Sequence, residues 1–298
     1  MTADLVKQAQ AHLDAEEYRE AREAALGGLA ENADDVELLR VAGRAGVELD
    51  ADDAVEQLTR VSELAPDDAQ SWRDLGDALA TDGRTEESNK AFAKAVELDP
   101  EDESALTALG HTAFAAGRSD EAVSLLEQAA ERGGRGSSAH ISLVDMHRLM
   151  GRYDDALTHA ERLAEAAPDD VVAALDVAEL LADAGRLDES LEAFGRLRDL
   201  VDVPEHEVCV LHGMVGVEMR REDMAGALAR AREAAGIDPH GRTRQLVAFL
   251  EAQVDEAAAD AEPPPSRADV DDAITGSLLE LRRYHVEDRG TSRGGDGG

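Results

Sequence analysis

The side chains that could do chemistry in this chain are nine histidines, one cysteine and a large excess of carboxylates. His140 and His147 fall on one side of a helical pattern, but seven residues of helix rise about 10 Å. A zinc ion sits ~2 Å from each ligand, so the two do not share one without bending far toward each other. They read as histidines packed between helices. His206 and His212 have no companions at metal-ligand spacing, and there is no CxxC pair. Adjacent acids such as Asp154 and Asp155 point to different sides of a helix, which suits a solvated surface or a helix start better than an acid–base pair. Cys209 has no activating neighbour in the sequence and reads as a small packed side chain. The run Gly133-Gly134-Arg135-Gly136-Ser137 precedes a helix and could offer amides to an anion. It lacks the Lys-Ser/Thr ending of a phosphate loop and reads as a flexible junction. These patterns assign no catalytic residue, no metal and no cofactor, and the chain is expected not to be an enzyme.

The charge balance points to binding. Acids number 66 against 30 bases, a formal charge of −36. That excludes a basic surface for DNA or RNA and opposes docking on anionic lipid. It favours basic or cationic partners. Lysine is confined to Lys7, Lys90 and Lys94; high-salt adaptation and a GC-rich genome both fit this composition. With Cys209 the single cysteine, no internal disulfide is possible. The start Met1-Thr2-Ala3-Asp4 lacks the basic and apolar regions of a signal peptide. No apolar run approaches the ~20 residues of a membrane span. The expected setting is cytoplasmic and reducing.

The elements that position these residues are short helices in pairs. From Ala69 to Asp102, Trp72, Leu75 and Leu79 line one face of a first helix, and Phe92, Ala95 and Val96 one face of a second. Asp82-Gly83-Arg84 turns between them, and Pro100 ends the pair. Gly76 stands where the partner helix must come close. Such a hairpin cannot cover its own apolar stripe and needs a copy on each side. Copies begin at Asp35, Glu103, Ser137 and Val171, with a period of 34 residues. The turn glycine returns as Gly83, Gly117, Gly151 and Gly185, and the small contact residue as Ala54, Ser88, Ala122, Ala156 and Ser190. The closing proline appears as Pro66, Pro100 and Pro168. Aromatics are only 3% of the chain, which suits closely packed, alanine-rich helix pairs better than one central core.

This pattern resembles the tetratricopeptide repeat (TPR) family, with Trp72, Leu75, Gly76, Ser88, Phe92, Ala95 and Pro100 filling its places in the best copy. The unit from Ser137 departs most, with His140 for the aromatic and Val144 for the glycine. The resemblance implies an all-α fold, a right-handed α-α superhelix of about seven hairpins over 2–241. The first, residues 2–34, is degenerate, with Ala15-Glu16 at its turn in place of glycine. The seventh begins near Val208, after an insertion following Asp202-Val203-Pro204, and is aligned on Pro239.

A capping helix is expected within 242–260, read as Thr243 to Ala259. A linker and tail fill 261–298: Pro263-Pro264-Pro265 as a stiff spacer, then a short amphipathic helix. Ser266 and Asp269 have capping-box spacing before it, and Val270, Ile274, Leu278 and Leu281 lie on one face. Gly290 to Gly298 is expected to be disordered.

The resemblance also implies the work: a scaffold or adaptor whose first helices line a concave groove for a partner's peptide or helix. By unit position, the groove would include Val36, Leu39, Arg73, Asp77, Thr107, His111, Phe114, Ile141, Asp145, Arg148, Leu175, Glu179 and His212. The Lys and Asn set by which one TPR subclass grips a C-terminal carboxylate is absent. The other reading is an assembly chaperone or a self-associating structural repeat protein. The stretch from Leu278 to Arg293 carries Arg282, Arg283, Arg289 and Arg293 in an acidic chain. Asp77, Asp145, Asp176, Glu179 and Asp183 tilt the groove negative. The tail helix is thereby a candidate to dock in a groove, its own or a neighbour's, against an idle tail, or one that binds a separate partner, as the alternative.

Overall fold

The computed structural model describes residues 2–238, 240–254 and 266–292. Among these residues there are sixteen helices and no strand. First helices of successive hairpins are α1 (Thr2–Asp14), α3 (Val36–Glu48), α5 (Ala69–Thr81), α7 (Glu103–Ala115), α9 (Ser138–Leu149), α11 (Val171–Asp183) and α13 (Pro204–Arg220). Second helices are α2 (Tyr18–Leu29), α4 (Ala54–Leu64), α6 (Thr85–Leu98), α8 (Ser119–Gly133), α10 (Tyr153–Ala166), α12 (Leu187–Arg198) and α14 (Met224–Ile237). α15 (Arg244–Val254) and α16 (Arg267–Ser292) follow. The fold is an all-α helical solenoid.

The chain forms two compact units, residues 1–139 and 140–298. In the first, α1–α2, α3–α4, α5–α6 and α7–α8 pack as hairpins, and α3, α5 and α7 each lean on the preceding first helix. In the second, α11–α12 and α13–α14 do the same, α10 packs on α11, α12 on α13 and α14 on α15.

The hairpins α5–α6 and α7–α8 close where the sequence puts a small residue. A Cβ on Gly76 would lie 2.6 Å from the Phe92 ring, and one on Gly110 2.9 Å from Leu126. Beside the first of these contacts, Ser88 Oγ donates to the Gly76 carbonyl at 2.8 Å; between α11 and α12, Ser190 Oγ donates to the Ala178 carbonyl at 2.7 Å. Helix starts are set by aspartate. Asp35, Asp68, Asp102 and Asp170 sit in extended backbone and accept from amides of the first turn, satisfying donors that the helix leaves open.

The turn after each first helix has one residue at positive φ. Gly83, Gly117, Gly151 and Gly185 serve in four hairpins, and Glu16, Asp50 and Glu222 take the same conformation in three others. In the second hairpin this corrects the register. Asp35 is the cap before the helix, as Asp68 is, so the unit begins at Val36, one residue later than the 34-residue period predicts. The missing residue falls between its two helices: Leu58 faces Gly43 one residue sooner than Phe92 faces Gly76.

At the irregular junction, Gly134 has a φ of 74°. A Cβ on Gly133 would lie 2.4 Å from the Glu103 carboxylate, which accepts from Ser137 Oγ at 2.5 Å. The chain's own acid therefore stands where the sequence could have offered amides to an anion.

The C-terminal expectations fare unevenly. α15 ends at Val254, and the remainder of the expected capping helix lies outside the described residues, as do Pro239 and the Pro263-Pro264-Pro265 spacer. The capping box forms: Ser266 N donates to Asp269 Oδ2 at 3.0 Å, and Asp269 N to Ser266 Oγ at 3.2 Å. α16 is longer than the short helix expected. It runs through Gly290 to Ser292, which were expected to be disordered, while 293–298 lie outside the described residues.

Candidate functional site

In the first unit, the inner turns of the first helices carry a ladder of arginines. Arg40 on α3 donates to Asp68 Oδ2 at 2.5 Å and to Ser71 Oγ at 3.1 Å. One hairpin on, Arg73 on α5 donates to Asp102 Oδ2 at 2.7 Å. Each arginine thus ties its helix to the cap of the next. Asp74, buried, lies 3.5 Å from Arg40 Nε and 3.9 Å from Arg44 Nε. Burial raises its pKa against the pull of Gln70 and these arginines. Asp77 reaches water but stands in a crowded setting beside Asp74; desolvation, then the Asp74 charge, lifts its pKa to about 6.

In the second unit, α16 lies against first helices α11 and α13. Gly213 and Gly216 on α13 let it approach. A Cβ on Gly216 would stand 3.3 Å from Ile274 Cγ2, and one on Gly213 3.1 Å from Leu278 Cδ2 and 2.5 Å from Phe194. Val270, Ile274, Leu278 and Leu281, the stripe read from the sequence, are all buried. One turn beyond Leu278, Arg282 donates to Asp176 Oδ1 and Glu179 Oε2, both at 2.7 Å. Arg148 on α9 shares this pair of acids, at 3.0 Å and 3.8 Å. Burial raises the Glu179 pKa, with Arg282 and then Arg148 opposing it. Of the four tail arginines, Arg282 makes this contact. Arg283 is exposed, and the side chains of Arg289 and Arg293 lie outside the described residues.

Two histidines of α13 face α16. His212 Nδ1 lies 2.7 Å from Ser277 Oγ and its Nε2 3.0 Å from Thr243 Oγ1. Burial lowers its pKa to about 4, with Asp238 opposing and Arg242 assisting. His206 packs edge-on against Tyr284, ring centroids 4.3 Å apart, and lies 4.9 Å from His285. Burial, then His285, lowers its pKa. Beside α16 an open cleft of about 320 Å³ remains, lined by Glu179, Asp183, Phe194, Arg220, Thr275 and Leu279 among others.

The residues predicted for the groove all lie on first helices, in unequal settings. Asp77, His111, Ile141 and Asp145 are exposed, Ile141 to 51%. Val36, Arg73, Thr107, Phe114, Arg148 and Glu179 are half-buried. Leu39, Leu175 and His212 are buried. For Leu39 the register explains it: with the unit starting at Val36, Leu39 takes the packing place of Trp72, and Arg40 the place of Arg73. Leu175 belongs to the core of its unit, and His212 is covered through Ser277. Arg148 and Glu179 meet at Arg282 of α16, and His212 meets α16 separately, at Ser277.

His159 escaped the sequence reading. It lies on α10 with Nδ1 3.0 Å from His140 Nδ1 and its ring stacked 5.7 Å from His147. Desolvation, then His140 and His147, lowers its pKa to about 4. Its partners are on another helix, so no spacing within one helix announces it. Among the described residues no group of three or more His, Cys, Asp or Glu side chains could hold a metal ion. Cys209 is buried, which pushes its thiol up to about 11. No helix among them is long and apolar enough to cross a membrane.

Family models agree with this geometry. A tetratricopeptide repeat model matches residues 48–103 and 107–171, and a second one residues 147–203. The chain is a tetratricopeptide repeat protein. Solved structures share the fold at low identity. The C-terminal part of a TPR repeat-containing protein from Cytophaga hutchinsonii superposes with a TM-score of 0.66 at 15% identity, over 79% of this TPR chain and 96% of that one. PilW, a type IV pilus biogenesis factor, gives 0.56 at 19%, over 66% and 92%. YrrB, described as a TPR protein with an unusual peptide-binding site, gives 0.51 at 21%, over 67% and 99%. No curated protein sequence matches this TPR chain.

Proposed function

We propose that this protein is a scaffold or adaptor that works by binding, not catalysis, and that it grips a peptide or helix of a partner protein on its first-helix face. One observation carries the reading: the chain's own amphipathic helix α16 already lies on that face, seated on Gly213 and Gly216 and held by Arg282. A surface that accepts one helix in register has the shape and charge to accept another, at little ordering cost of its own. The peptide-binding site named for YrrB supports the same reading by fold analogy. In this reading α16 competes with the true ligand, the acidic chain favours basic or amphipathic partner segments, and the setting is cytoplasmic.

Affinity capture from native lysate tests it, with wild type beside Phe114→Ala and Arg148→Glu. A protein retained by wild type and lost with either variant supports the first-helix face. Capture unchanged by both removes it.

A further inference from the structure

We propose that the surface of α11 and α13 is a receptor for an amphipathic helix bearing two branched aliphatic residues and an arginine at four-residue intervals. α16 is its resident occupant, and a partner helix of the same pattern displaces it. The inference rests on the first-helix face being the binding surface, and names what that surface recognises.

Three contacts define the pattern. Ile274 covers Gly216, Leu278 covers Gly213, and Arg282 reaches Asp176 and Glu179. The residues recur every fourth position, so they form one stripe of a helix. Charge makes the last contact selective. Among the described residues, Arg148 is the receptor arginine against Asp176 and Glu179, and Arg282 is the second cation that reaches both. Arginine, with its forked donors, reaches both carboxylates at once where lysine supplies a point charge.

The seat is incompletely filled. α16 buries the stripe but leaves Leu279, beside the cleft, more than half exposed. The cleft of about 320 Å³ runs beside Thr275 and Leu279. A partner helix with a larger apolar residue in the place of Thr275 fills that space and gains over α16. The partner is therefore a protein helix with an aliphatic stripe, a large residue one position after the first aliphatic and an arginine, not a C-terminal carboxylate or an extended acidic peptide.

The probe is a labelled synthetic peptide of residues 266–286, titrated by fluorescence anisotropy into the full chain. In the receptor, Leu278→Asp with Arg282→Glu vacates the site, and Arg282→Gln alone serves as a milder variant with the stripe intact. We expect binding to the vacated chain at least tenfold tighter than to wild type, and to Arg282→Gln at least threefold tighter. A peptide carrying Arg282→Glu should bind tenfold more weakly, and one carrying Thr275→Leu more tightly. Gly216→Leu in the vacated receptor puts a side chain where Ile274 sits and should abolish binding. Equal binding to receptors with and without Gly216→Leu overturns the proposal, as does failure to bind both loosened receptors while circular dichroism shows their helices intact. If the peptide fails in this way but a captured partner still depends on Phe114, the pattern is wrong and the scaffold reading stands. If neither binds, both fall.

Discussion

Arg282 Nη2 donates to Glu179 Oε2 at 2.7 Å across 103 residues of chain. The contact joins the last described helix to the face of α11, and both side chains are about three-quarters covered. Pairs of this kind are stabilising only where geometry is good and the remaining charges are met; here Asp176 takes the second fork of the guanidinium and Arg148 the other side of the acids.

Arg282→Ala should therefore loosen α16 without unfolding the repeats, since Arg148 still neutralises part of the acid pair. The expected cost is about 1–2 kcal/mol, read as roughly tenfold faster amide exchange over residues 266–286 with α5 and α7 unchanged. Arg282→Lys should fall between, because it keeps the charge and loses the fork.

Acidification should release α16. His212 titrates at about 4 when covered, against an ordinary value near 6.5. The state with α16 off therefore binds more protons between those values, and its population rises as pH falls through that range. At pH 7.5 both states leave His212 neutral, so the effect disappears. At pH 5.5 the His212 contribution reaches roughly tenfold if release restores the ordinary value, and Glu179, whose pKa burial raises, works against it. His206, also lowered, acts in the same direction. The charged groups facing His212 are Asp238 and Arg242; those facing His206 are His285, Asp202, Glu205 and Glu280. Amide exchange of 266–286 at the two pH values, after correction for intrinsic rates, measures the change, and His212→Gln should reduce it.

Three turns hold a non-glycine residue at positive φ, a conformation that costs roughly 1 kcal/mol in L residues. Asp50→Gly and Glu222→Gly should each raise the melting temperature, and Gly117→Ala should lower it. A lower melting temperature for Glu222→Gly would show that its side chain contributes more than the backbone strain costs.

These turns also show how far the sequence carries. The hairpins, the capping box at Ser266 and the buried stripe of α16 were legible, because each depends on residues within a few turns of one another. The one-residue shift at Val36 was not: a deletion inside the second hairpin leaves Ala54 in step and displaces only the helix before it. Nor was the place of His159, whose partners His140 and His147 lie on another helix. Arg282 stood out by its sign in an acidic chain. Its seat between Asp176 and Glu179, and the cover that Ser277 gives His212, join residues 65 to 106 positions apart. No local pattern encodes such pairs.

Packing at the hairpin crossing can be tested directly. Gly76→Ala places a methyl group 2.6 Å from the fully buried Phe92 ring and should cost about 1–3 kcal/mol. Ser88→Ala removes the donor to the Gly76 carbonyl and should cost about 1–2 kcal/mol. Chemical denaturation reads both, and a loss under about 0.5 kcal/mol for Gly76→Ala would mean the crossing gives way easily.

Partners are expected to meet the first helices. A photocrosslinking amino acid placed at Ile141, exposed on first helix α9, and separately at Gln128, exposed on second helix α8, checks this in cells of the native host. A partner should be captured from Ile141 and not from Gln128. Capture from Gln128 alone would show that partners meet the second helices instead.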